Sequence, residues 1–293
     1  MSGKLAEVEG RIGTVHQLEA VITAMRGSAA ARSREARARL TGIRTYAAAI
    51  SGAIGEALAL ASEPAPPLRK SGHPEGRVVI ALCAEQGFAG SFNERVLDAA
   101  ERHLQSDTAE LFIVGNRGAM VAAERGRVAG WSAPMVAHAE EVPLLADRII
   151  DALYSRLEKD QAARVTVIHA VPAHSATIEI VERALLPFDF ARFKLAPSAA
   201  PPITTLPPQR LLAELAEEYV YAELCADIML SFAAENEARM RAMIAARSNV
   251  AHKLEELVGS FRRLRQEEIT GEIIELSAGS ISAADFSGAS APS

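Results

Sequence analysis

VAHKLEELVGSFRRL, residues 250–264, places Val250, Leu254, Leu257, Phe261 and Leu264 at steps of four, three, four and three. Such steps average 3.5 residues, the period that keeps one narrow apolar stripe against a partner helix. Met240 and Met243 extend the stripe upstream, while Glu255, Glu256, Arg262, Arg263, Arg265, Glu267 and Glu268 fill the other faces. No proline interrupts 209–276, and at about 1.5 Å per residue an unbroken helix here reaches roughly 100 Å. A helix of that length, charged on most sides, needs a second helix alongside it.

The other end of the chain supplies one. Leu5, Val8, Ile12, Val15, Ile22 and Ala29 fall on a 3-4 stripe broken by Glu19 and Arg26, with Leu18 and Met25 flanking it. A stripe this narrow suits a coiled-coil seam and not a helix laid on a sheet. The same helix carries a basic run, Arg26, Arg32, Arg34, Arg37, Arg39 and Arg44, relieved by Glu35. Read alone, this run is a solvated helix face or a docking face for an acidic protein surface. Nucleic acid is disfavoured, because no aromatics interleave the arginines and the chain carries a net charge of −6.

Between the helices the chemistry changes. EPAPPLRKSGHPEG, residues 63–76, is a proline- and glycine-rich linker. The apolar strand Arg77–Cys83 then leads through a glycine turn into a helix from about Ser91 to Gln105. A second strand at 111–114 precedes a short helix ending at Gly126, and Val142–Lys159 is an amphipathic helix. The last strands are 164–169 and 177–181, separated briefly enough to be an antiparallel hairpin. Apolar strands alternating with helices define a Rossmann-like α/β domain with a largely parallel sheet. The expected fold is therefore α/β plus a long antiparallel coiled coil of the terminal helices. Its parts are an N-terminal helix (1–62), linker (63–76), α/β domain (77–186), proline-rich linker (187–208), C-terminal helix (209–277) and an Ala/Ser/Gly-rich, disordered tail (278–293).

Composition excludes several classes. Hydrophobic residues make up 49 % of the 293, enough for at least one core, and aromatics only 5 %, which suits Ala/Leu-rich helices. The most membrane-like run, Tyr46–Ala61, falls short of the ~20 residues a span requires, and Gly52, Gly55 and Glu56 interrupt it. No signal-like segment opens the chain. Cys83 and Cys225 lie on unrelated elements and read as buried free thiols of a reducing compartment.

No catalytic constellation, cofactor site or metal site emerges. The turn Glu85–Asn93 follows a strand and opens a helix, where phosphates often bind, yet it holds neither G-x-G-x-x-G nor a P-loop lysine. Ser91 with Glu94 reads as a capping box, which accounts for the turn without a ligand. His169 and His174 share no helical face, and no G-x-S-x-G elbow occurs.

Long helix, inserted α/β domain, long helix: three stretches now carry a resemblance. VITAMRGSAAARSREA, residues 21–36, the turn ALCAEQGFAGSFN, residues 81–93, and ENEARMRAMIAARSNVAHKLEELVGSFRRLRQEEITGEIIEL, residues 235–276, resemble the γ subunit of rotary F-type ATP synthases. The resemblance implies a non-catalytic central rotor stalk. The helix pair would turn inside a ring of α and β subunits, and the α/β domain would meet the ε subunit and the membrane c-ring. It also implies a peripheral position on the cytoplasmic face of the bacterial inner membrane. Met25, Arg26, Arg32, Arg34 and Arg37 match positions where the family's stalk meets acidic loops of the β subunits. Arg239, Arg265, Gln266, Thr270 and Glu272 match positions tied to coupling and ring contact. Departures mark a divergent branch: Thr23 and Gly27 replace a lysine and a methionine, Ala84-Glu85-Gln86 replaces Ser-Asp-Arg, and Arg262 replaces an asparagine. The sodium-linked F-type ATPase of some bacteria is one such branch.

Two other readings compete. A nucleotide-binding α/β enzyme with a helical dimerisation arm needs a phosphate loop, which the turn lacks. A plain coiled-coil adaptor leaves RQEEITGE, residues 265–272, unexplained, since those matches lie off the seam.

Overall fold

The computed structural model describes residues 2–61, 76–105, 109–159, 162–172, 178–195 and 202–287. In chain order the elements are α1 (Ser2–Leu60), β1 (Arg77–Leu82), α2 (Phe92–His103), β2 (Ala109–Val114) and α3 (Asn116–Glu124). There follow β3 (Trp131–Ala133), α4 (Val142–Glu158), β4 (Arg164–Val171), β5 (Glu179–Leu186) and α5 (Pro208–Ser287). Two compact units result: Met1–Arg26 with Met243–Ser293, and Gly27–Ala242.

The first unit is a helix pair whose burial follows the apolar period. Leu5, Val8, Ile12 and Val15 are half-buried and Ile22 is buried, while Leu18, one step off the stripe, is exposed. On α5, Met243 is buried and Ala246, Val250, Leu254, Leu257, Phe261 and Leu264 are half-buried. Glu19, the charged break in the first stripe, faces Arg247 at 3.7 Å. A polar seam residue answered across the interface fixes register. Carried residue for residue toward the chain start, this antiparallel pairing sets Ser2 opposite Leu264. Downstream, Ile269, Ile273, Ile274 and Leu276 are exposed.

In the second unit one five-stranded sheet, ordered β3-β2-β1-β4-β5, has four parallel strands and an antiparallel edge, β5. Strand alternation divides the core. Val78, Ile80 and Leu82 of β1 pack with α4 and with Leu224, Ile228 and Phe232 of α5. Val79, Ala81 and Cys83 pack with α2 and α3. Here α1 and α5 are again antiparallel, as Ser33 and Arg37 contact Glu237 while Tyr46 donates to Glu218.

Several expectations are corrected. β3 is a three-residue strand with no apolar run, so pattern reading passes over Trp131–Ala133, which pairs with β2 at Phe112–Val114. β5 runs to Leu186, because its edge position tolerates the charges of Glu182 and Arg183. α1 ends at Leu60, and the linker residues 63–75 lie outside the described residues. The stretch 187–208 is not featureless: Phe188, Phe190 and Phe193 cluster with Tyr219 at centroid separations of 4.8–6.0 Å. α5 continues to Ser287, because Ala278, Ala283 and Ala284 favour helix and no proline falls between Pro208 and Pro292; residues 288–293 of the expected tail lie outside the described residues. The Ser91–Glu94 capping box does not form. Ser91 sits at ψ 29°, away from the extended backbone that capping needs, and its side chain makes no cap bond.

Candidate functional site: helix faces and the filled crevice

Where an open parallel sheet reverses strand order, ligands bind beyond the strand C-termini. In this sheet that point lies between β1 and β4, and α5 occupies it. Ser231 Oγ donates to the Leu82 carbonyl at 2.8 Å and accepts from the Ala170 amide at 3.5 Å, with Ser231 itself fully buried. The crevice is filled by the chain's own helix.

Ser231 belongs to a row of buried polar residues at a spacing of four: Glu223, Asp227, Ser231, Glu235 and Arg239. Residues four apart share a helical face. Glu223 accepts from Arg183 at 2.7 Å and from Arg192 at 2.9 Å. Arg183 Nε also lies 3.0 Å from Asp227, and His169 lies 3.5 Å from the same carboxylate. Burial pushes Asp227 up to about 7, against the lowering effect of Arg183. Burial, assisted by Arg183, pushes His169 down to about 3. Sequence reading missed this row because buried charge on a helix mimics a solvated face until its partners on other elements are known.

The row ends on the glycine turn. Arg239 donates to Glu235 at 2.5 Å, to the Gln86 carbonyl at 3.2 Å and to the Gly87 carbonyl at 3.3 Å. Glu85 accepts from the Asn116 amide and side chain and from the Met135 amide. Asn93 Oδ1 accepts from the Ala84 amide at 2.8 Å. Gly115 closes the neighbouring turn at φ 104°, where a Cβ would meet the Cys83 carbonyl at 2.6 Å. Phe88, at φ 61°, projects from the turn and is exposed. The turn is thus held by side chains and has a structural role.

The residues expected to face partners divide accordingly. Arg239 is turned inward with 5 % exposure, since its donors are used within the chain. Arg37 is bonded to Glu237, which also receives Ser33 at 3.3 Å and Arg241 at 3.3 Å. Arg39 lies near Glu35 and Glu140. Arg26 and Arg32 are half-buried and Arg34 exposed, and among the described residues none of the three has an ion-pair partner. Met25 is half-buried beside the seam. Arg265, Gln266, Thr270 and Glu272 are all exposed on α5, where Thr270 Oγ1 donates to the Gln266 carbonyl.

Cys83 and Cys225 are free and buried, and burial raises both thiols, Cys225 to about 11. No described helix is long and apolar enough to cross a membrane. Among the described residues no cluster of three or more His, Cys, Asp or Glu is placed to hold a metal.

Two long antiparallel helices, one of which plugs the crevice of the α/β domain inserted between them, define a stalk-type subunit. The family model described as ATP synthase matches residues 4–282. The chain is 30 % identical to the ATP synthase gamma chain of Frankia casuarinae over 294 residues, covering 95 % of this chain and 97 % of that one. It is 26 % identical to that of Moorella thermoacetica, covering 94 % and 97 %. The fold resembles a chain in the structure of Euglena gracilis mitochondrial ATP synthase (OSCP/F1/c-ring, rotational state 3), with a TM-score of 0.66 and 10 % identity over 100 % of this chain and 98 % of that one. A chain of the Tetrahymena thermophila central stalk and c-ring gives a TM-score of 0.56 at 17 % identity, covering 77 % and 99 %. This chain belongs to the ATP synthase gamma-chain family, the central rotor stalk subunits of F-type ATP synthases.

Proposed function

We propose that this chain is a non-catalytic rotor that couples ion flow through a c-ring to ATP synthesis or hydrolysis in an α/β-subunit ring. Its partners are the α, β and ε subunits and the c-ring, at the cytoplasmic face of a bacterial inner membrane. The observation that carries this reading is α5 from Arg265 onward, past the residue set opposite the start of α1, with Ile269, Ile273 and Ile274 exposed. Apolar contact there, with Arg265, Gln266, Thr270 and Glu272 beside it, supports turning within a ring without a single fixed orientation. The filled crevice supports a non-catalytic role.

Met25 and Arg26 of the first unit, and separately Arg32 and Arg34 of the second, are further proposed contacts with acidic loops of the ring. Exposed ion pairs contribute about 0–1 kcal/mol each, so one substitution changes little and a pair of reversals shows. Arg32→Glu with Arg34→Glu should leave helix content unchanged and lower the ion pumped per ATP hydrolysed in the reconstituted complex. Arg37→Glu should instead destabilise the chain, because it sets a carboxylate against Glu237. Full coupling in the double variant would return this face to solvent.

A further inference from the structure

A cavity of about 300 Å³ opens in the second unit between α4, the end of β5 and α5. Ile150, Leu153, Leu186, Phe188 and Val220 line it, with Leu153 the most buried at 5 % exposure. Tyr154 and Glu217 also line it and are exposed, which places the polar groups at the mouth. Among the described residues no lysine, arginine or histidine lines it. Arg192, stacked on Phe188 at 5.2 Å, is directed to Glu223 at 2.9 Å, a carboxylate it shares with Arg183.

This is the anatomy of a small-molecule site, an apolar body pocket with few polar groups that fix orientation. We propose that the cavity binds a small organic cation, its apolar body against Leu153, Leu186 and Val220 and its ammonium on the Glu217 carboxylate, with Tyr154 beside it. The sign of the ligand follows from charge complementarity, since among the described residues the lining offers one carboxylate and no cation. Burial and the neighbouring Glu217 raise the Tyr154 hydroxyl, so it remains a donor and an uncharged wall at neutral pH. An anionic ligand of the same shape would face the Glu217 carboxylate at the mouth, which the Tyr154 hydroxyl answers without a counter-charge.

Three isosteric probes test this by saturation-transfer NMR on the full-length chain and on the assembled complex: phenethylammonium, 2-phenylethanol and phenylacetate. Phenethylammonium should bind both preparations most tightly and phenylacetate most weakly. Glu217→Gln, at an exposed position, should weaken the ammonium by about fivefold, the scale of a partly solvated ion pair, and leave the alcohol unchanged. Leu153→Trp should abolish binding of both by filling the cavity. Equal binding of all three probes, or an ammonium affinity indifferent to Glu217→Gln, would overturn the proposal. So would binding that the lone chain shows and the assembled complex loses, which would make the cavity a subunit contact.

Discussion

Arg239 and Glu235 lie one helical turn apart on α5, joined at 2.5 Å, with side chains only 6 % and 3 % exposed. A pair this enclosed is held in place by what surrounds it, and Arg239 extends it to the carbonyls of Gln86 and Gly87. Burial raises Glu235, and Arg239 opposes that shift. Removing the arginine alone leaves a buried carboxylate with no counter-charge. Arg239→Ala should therefore cost about 3–5 kcal/mol, and the Arg239→Ala, Glu235→Leu double variant should lose clearly less. Urea denaturation of the four combinations checks this; additive losses would show that the two side chains act independently.

The buried His169 and Asp227 respond to pH in opposite senses. Asp227 moves from 3.8 in the unfolded chain to about 7 on folding, so between those values the folded chain holds the extra proton and gains stability as pH falls. His169 moves from 6.5 to about 3, so there the unfolded chain holds the extra proton and the folded chain loses stability as pH falls. From pH 4 to 6.5 the two effects oppose each other. Asp227→Asn removes one of them, and stability should then fall by about 1.4 kcal/mol per pH unit from pH 6.5 downward. His169→Phe should reverse that slope between pH 4 and 7. Urea midpoints across the range check both, and a wild-type profile in Asp227→Asn would contradict the assignment.

Glu19 and Arg247 meet across the helix pair at 3.7 Å. With both changed to cysteine, a short bis-maleimide should link them within one chain, since the native Cys83 and Cys225 are buried. Denaturing gel mobility distinguishes the products. Links formed only between chains would mean that the helices pair in a dimer instead.

Much of this was legible in the sequence because helical seams and strand alternation are local signals. Val250, Leu254, Leu257, Phe261 and Leu264 announce their own burial, and the run 77–83 announces a strand buried on both faces. Trp131–Ala133 did not, since a three-residue strand is defined by its neighbour and not by its own pattern. The family's pattern pointed to Arg239 but not to its setting. A buried arginine and an exposed one look alike until Glu235 and the turn carbonyls are in place. The same holds for Arg37, whose match to a partner-facing position hid its bond to Glu237. Glu223, Asp227 and Ser231 carry no local signal of their burial, because their partners, Arg183, His169 and the Leu82 carbonyl, come from strands far off in sequence.

The rotor reading rests most heavily on α5 beyond Leu264. Chains ended after Phe261 and after Ala278 can be assembled with the remaining subunits and assayed for ATP-driven ion pumping. The chain ending at Ala278 should pump as the full chain does, because Arg265, Gln266, Thr270 and Glu272 are kept. The chain ending at Phe261 loses these together with the Leu264 seam layer, and should fail to assemble or hydrolyse ATP without pumping. Full coupled pumping by the Phe261 truncation would contradict a torque-bearing contact at this end of the helix.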